Sequence, residues 1–69
     1  MKSLGRIYDK LNDGDKLSDS EVVAGEKLFK GLTERLHAAG PMFILTAKET
    51  NRTYHALRSV RRARRLVKL

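Results

Sequence analysis

Two runs of apolar and small side chains, each stepping by three and four residues, meet at Gly40-Pro41 and confine this chain to helices packed on helices. The first run is Val22, Gly25, Phe29, Leu32, Leu36 and Ala39, and the second is Phe43, Ala47, Thr50, Tyr54 and Leu57. Each is a seam that one helix can lay against another. Between them, glycine ends one helix and proline sits without cost at the first position of the next. The spacing predicts helices over residues 19–39 and 41–66, paired as an antiparallel hairpin. Residues 42–47, Met-Phe-Ile-Leu-Thr-Ala, would also suit a buried strand, but a lone strand has nothing to pair with, so helix is expected there.

The second helix has the best-marked start in the chain. Ser18 and Glu21 match a capping box, and Leu17 with Val22 matches the hydrophobic staple that accompanies one. Gly25 and Gly31 each weaken the helix by about 1 kcal/mol relative to Ala. Gly25 lies on the seam, where close helix approach would offset that cost; Gly31 lies off it. A shorter first helix, over residues 3–12, places Leu4, Ile7, Tyr8 and Leu11 on one face and ends at the turn formers Asn12-Asp13-Gly14-Asp15. The fold class is therefore all-α, a short N-terminal helix bracing a helical hairpin within a single small domain. A chain of 69 residues without cysteine has no disulfide staple and buries a modest core, so completion by homo-oligomerisation is expected.

Charge is distributed as unevenly as the apolar residues are regular. The net charge of +7 arises wholly after residue 51, where Arg52, Arg58, Arg61, Arg62, Arg64, Arg65 and Lys68 face no acid. Before that point cations and carboxylates balance. Arginine suits bidentate contact with phosphate or carboxylate, so the basic segment 52–69 implies an anionic partner. Beyond Leu57 the second seam runs into Arg61, Arg64 and Arg65, and the apolar stripe is expected to shift to Ala56, Val60, Ala63 and Val67. That would leave six cations, Arg58, Arg61, Arg62, Arg64, Arg65 and Lys68, spread over roughly 160° of the opposite side. Without a partner, their mutual repulsion would fray the last turns.

Catalytic and metal-binding constellations are missing from the pattern. His37 and His55 lie on different helices and lack the paired spacing of metal ligands. His55 and Ser59 stand one turn apart, but no carboxylate orienter or oxyanion donor accompanies them. Asn12-Asp13-Gly14-Asp15 lacks the remaining ligands of a calcium loop, and no phosphate-cradling glycine loop is present. No enzyme activity, cofactor or metal is expected. The N-terminal residues lack the apolar run of a signal peptide, and no stretch approaches the roughly 20 apolar residues needed to cross a bilayer, so a soluble cytoplasmic protein without membrane contact is expected.

The leading functional expectation is a small non-enzymatic nucleic-acid-binding module whose arginine-rich C-terminal helix meets the phosphate backbone of DNA or RNA. Arg58, Arg61, Arg62, Arg64 and Arg65 would make the contacts, with Arg52 and Lys68 at the edges. Tyr54 and His55 could stack on an exposed base, although Tyr54 fits the core seam better. One alternative is a protein-binding regulator or inhibitor that docks its basic helix on an acidic surface of a partner enzyme. Another is a binder of small phosphorylated ligands, a nucleotide or cyclic oligonucleotide, at a subunit interface.

Overall fold

The Ser18 hydroxyl accepts from the Glu21 N–H at 3.2 Å while the Glu21 carboxylate accepts from the Ser18 N–H at 2.9 Å, so the capping box forms as expected. Leu17 and Val22, on either side of it, are both buried and close the staple. In this computed structural model, which describes residues 2–14 and 16–68 and the side chains from residue 5 onward, the chain forms three helices. They are α1 (Lys2–Asp13), α2 (Asp19–Ala38) and α3 (Ile44–Ala63), with a 3-10 turn at Pro41–Phe43 before α3. The Leu4 side chain and Asp15 fall outside the described residues.

Gly40 ends α2 in a backbone conformation (φ 111°) that favours glycine, and Pro41 opens the turn that follows. Residues 44–47 are helical, as the missing strand partner requires. Phe43 nonetheless does not join the seam of α3. It closes the 3-10 turn with φ −102° and ψ 13°, so the chain enters α3 out of phase with the spacing that placed it there. Phe43 and Ile44 are half-exposed, and Met42 and Leu45 stand 87% and 76% exposed.

The core comprises Ile7, Leu17, Val22, Phe29 and Leu57, with Tyr8, Leu11, Leu32, Tyr54, Val60 and Leu66 packed against it. Each of the large members contributes about 1.5–3 kcal/mol by leaving water. Where a Cβ would sit on Gly25, Leu57 Cδ1 lies at 3.0 Å and Ile7 Cγ2 at 3.2 Å, so all three helices converge on this glycine. Gly25 thus repays its cost in helix propensity by close approach. At Gly31 a Cβ would meet nothing within 4 Å.

Polar ties join the helices around this core. Thr33 Oγ1 lies 2.9 Å from Thr50 Oγ1, which donates to the Ala47 carbonyl. Thr33 also reaches the Phe29 carbonyl at 2.8 Å, so one proton serves two acceptors. Tyr8 Oη donates to Glu49 Oε1 at 2.8 Å and links α1 to α3, and Lys10 Nζ stands 3.1 Å from Glu21 Oε2, linking α1 to α2.

The third helix stops at Ala63, short of the expected residue 66, at a hydrogen-bonded cap. Leu66 N donates to the Arg61 carbonyl and Arg65 N to the Arg62 carbonyl, the paired bonds of a Schellman motif, with Arg65 in the left-handed region (φ 57°). The chain reverses there and sends Leu66 onto the core. Val67, expected on the apolar stripe, is 86% exposed because the helix has already ended.

Two measurements check this arrangement. Gly31→Ala is expected to raise unfolding stability by about 1 kcal/mol, whereas Gly25→Ala should fall short of that gain because its methyl must displace Leu57 and Ile7; equal gains in urea denaturation would refute the close approach. The Ser18 N–H and the Lys10 ammonium hold the Glu21 carboxyl down from 4.5 to about 2. A depressed folded-state value means that its stabilisation is present above about pH 4.5 and is lost as pH falls towards 2. The stability gap between the native chain and Glu21→Gln should therefore be widest near neutrality and close across that window.

Candidate nucleic-acid interface

The basic segment divides into inward and outward halves. Arg61, one turn past Leu57, continues the α3 seam and bonds through Nε to Glu26 Oε2, while its Nη1 donates to the Leu66 carbonyl at 3.2 Å. Glu26 is 2% exposed, deep within α2 between Val22 and Phe29. Arg64 donates through Nη1 to the Leu17 carbonyl at 2.7 Å and to Asp19 Oδ1 at 3.0 Å, tying the end of α3 to the start of α2. Both arginines are committed to the fold. The expectation that they join an outward cationic face is thereby corrected, since their carbonyl and carboxylate partners lie within the same chain.

The remaining cations of the segment face outward or sideways. Arg62 and Arg65 are exposed and Arg58 is half-buried; none of the three has an ion-pair partner among the described residues. Arg52 approaches Glu49 only to 4.0 Å, with both side chains well exposed, and a pair of that kind contributes little and leaves Arg52 available to another anion. Lys68, carried past the helix end by the Schellman turn, is exposed and lies against α2 beside Lys27 and Lys30. It does not continue the α3 face.

Lys48 was missed by a reading that began the basic segment at residue 52. Lys48, Arg52, His55, Ser59 and Arg62 recur at steps of four and three, and all five are exposed. They form one stripe along about 21 Å of α3 at 1.5 Å per residue, with Arg58 beside it. The heptad-like spacing of this stripe was a signal available in the sequence, masked there by Glu49 next to Lys48.

Tyr54 packs against the core, as its seam position indicated, and its ring centroid lies 5.0 Å from that of His55, tilted by 50°. His55 is exposed and belongs to the cationic stripe. Of the two residues considered for base stacking, His55 therefore has the more open ring. Among the described residues no three His, Cys, Asp or Glu side chains gather where they could hold a metal ion, and no helix is long and apolar enough to cross a membrane. Compared with protein-family models, curated proteins and solved structures, the chain matches none.

The Glu26–Arg61 pair makes a direct prediction. Arg61→Ala leaves a buried carboxylate uncompensated and is expected to cost roughly 3–5 kcal/mol, whereas Glu26→Leu combined with Arg61→Leu should come out near the native stability. Urea denaturation of the single and double variants measures both. An Arg61→Ala loss below about 1 kcal/mol would assign the pair to the solvated surface.

Proposed function

We propose that this protein is a non-enzymatic nucleic-acid-binding module that contacts phosphates through the outer face of α3, using Lys48, Arg52, Arg58, Arg62 and Arg65, with His55 placed to stack on an unpaired base. The observation that carries the reading is that internal carboxylates absorb Arg61 and Arg64 and leave Arg58, Arg62 and Arg65 without an ion-pair partner among the described residues. A stripe of cations and polar side chains along one helix, Lys48, Arg52 and Arg62 with His55 and Ser59 between them, suits a polyanion. One strand of a duplex carries a charge each 3.4 Å, so the stripe extends over about six phosphates. Contacts of this kind set affinity and position and carry little sequence information.

A second reading, a protein-binding regulator, draws support from the exposed Met42, Phe43, Ile44 and Leu45 at the corner where α3 begins. That corner carries Met42 and Phe43, residue types enriched at the centres of protein interfaces. On this reading the two long helices form an antiparallel hairpin whose tip is covered by a partner or by a second copy of the chain. Native mass spectrometry with and without nuclease separates the cases: a retained protein or a dimer lost on Leu45→Glu favours the corner.

The nucleic-acid reading is tested by anisotropy titration against random duplex and single-stranded DNA and RNA. With about four phosphates neutralised, log affinity should fall with log salt at a slope near −3 to −4, and Arg62→Gln should reduce that slope by about 1. Arg65→Gly should weaken binding while stabilising the fold by about 1 kcal/mol, because glycine adopts the left-handed cap without strain. Absence of binding at low salt removes the reading.

A further inference from the structure

On the side of α2 that the proposed interface does not use, Val23, Glu26, Lys27, Lys30, Gly31 and Glu34, together with Lys68 from the C-terminal segment, enclose a cleft of about 340 Å³. A volume of this order falls at the lower end of the range for small-molecule sites. The Schellman turn precedes Lys68, which closes one side of the cleft.

Two wall residues shape this cleft. The first is Glu26, a wall residue 2% exposed, whose Oε2 is bound to Arg61 and whose Oε1 is buried with no hydrogen-bond partner among the described residues. Both oxygens of this carboxylate are closed off from solvent, so Glu26 contributes a fixed, arginine-paired wall and leaves the exposed lysines to meet a ligand. The second is Gly31, whose place in α2 is unexplained by packing between helices. A Cβ there would meet no atom within 4 Å, and Gly31 lines the cleft, so any larger side chain would grow into the open volume.

The charge balance defines the ligand. Arg61 offsets Glu26, so Lys27, Lys30 and Lys68 outweigh Glu34 by two positive charges. A phosphate monoester carries about −1.5 to −2 at neutral pH and matches that surplus. Lysine ammoniums bind phosphate as mobile point charges, with no need for the bidentate geometry of arginine. The geometry points to a binding site for a small phosphate monoester of the size of a nucleoside monophosphate: the phosphate lies among the three lysines and the rest of the ligand fills the open volume beside Gly31. This site is separate from the α3 face and uses none of the residues assigned there.

The experiment is a titration of the full-length, isotopically labelled chain, followed by amide chemical shifts, with the four ribonucleoside 5′-monophosphates, the corresponding nucleosides and inorganic phosphate. At least one monophosphate is expected to bind about tenfold more tightly than its nucleoside or inorganic phosphate, with shifts centred on residues 23–34. Gly31→Leu, which fills the cleft without touching the core, should weaken that binding about tenfold or more and leave the melting temperature undiminished, and Lys30→Glu should weaken it similarly. Equal binding of monophosphates and inorganic phosphate, shifts centred on α3, wild-type affinity in Gly31→Leu, or no binding at all would each overturn the proposal. Gly31→Leu should retain polynucleotide binding through α3, so a failure of the cleft and a failure of the α3 reading are told apart in one variant.

Discussion

The bond between Glu26 and Arg61 is the contact from which the rest of the architecture follows. It occupies a position on α2 where an apolar residue would have been simplest, between Val22 and Phe29, and a position on α3 where the apolar seam gives out after Leu57. With one carboxylate placed to receive it, the arginine continues the seam in a different chemistry. The same guanidinium reaches the Leu66 carbonyl, so this contact also anchors the reversal that ends α3 and folds the C-terminal segment back on the core. A buried ion pair is seldom a source of net stability compared with a packed hydrocarbon, but it fixes register: sliding one helix past the other by a turn would strand both charges.

Register is reinforced at intervals along the same two helices. Thr33 meets Thr50, Glu26 meets Arg61, and Asp19 meets Arg64. Between these polar rungs the buried side chains Val22, Phe29 and Leu57 are apolar and tolerate sliding. Gly25 supplies the remaining constraint, because the tips of Leu57 and Ile7 fill the space where its side chain would be. A small core thus gains specificity from polar contacts that by themselves add little to its total stability.

Local signals in the sequence predicted local structure well. Ser18 and Glu21 act on each other within one turn, and Gly40-Pro41 acts on its own dihedrals, so both could be read without knowing what lay across the fold. The seams through Val22, Gly25 and Phe29 and through Ala47, Thr50 and Leu57 were legible for the same reason, since periodicity is a property of one helix. What escaped was whatever depends on two segments at once. Glu26, Thr33 and Thr53 are buried polar residues whose burial follows from neighbours on other turns or helices. The stop at Ala63 escaped because the cap uses Arg65 where glycine is usual, so the punctuation that marks most helix ends was missing. The candidate interface was legible as a concentration of charge but not as a set of directions, because composition counts Arg61 and Arg62 alike while the fold turns one inward and the other outward.

That division also bears on why the segment is so rich in arginine. An arginine that serves the interior must satisfy several acceptors at once, and Arg61 and Arg64 each reach a carboxylate and a backbone carbonyl, which the fork of a guanidinium permits and an ammonium does less well. Around the α2 cleft the cations are lysines, Lys27, Lys30 and Lys68, all exposed to solvent. Residue type alone does not set the role, since Arg62 and Arg65 are exposed while Arg61 and Arg64 are bound within the fold. Net charge measures neither role, and a variant that preserved +7 while exchanging Arg61 for lysine would keep the field of the molecule yet loosen the joint between α2 and α3 on which both of its charged faces are mounted.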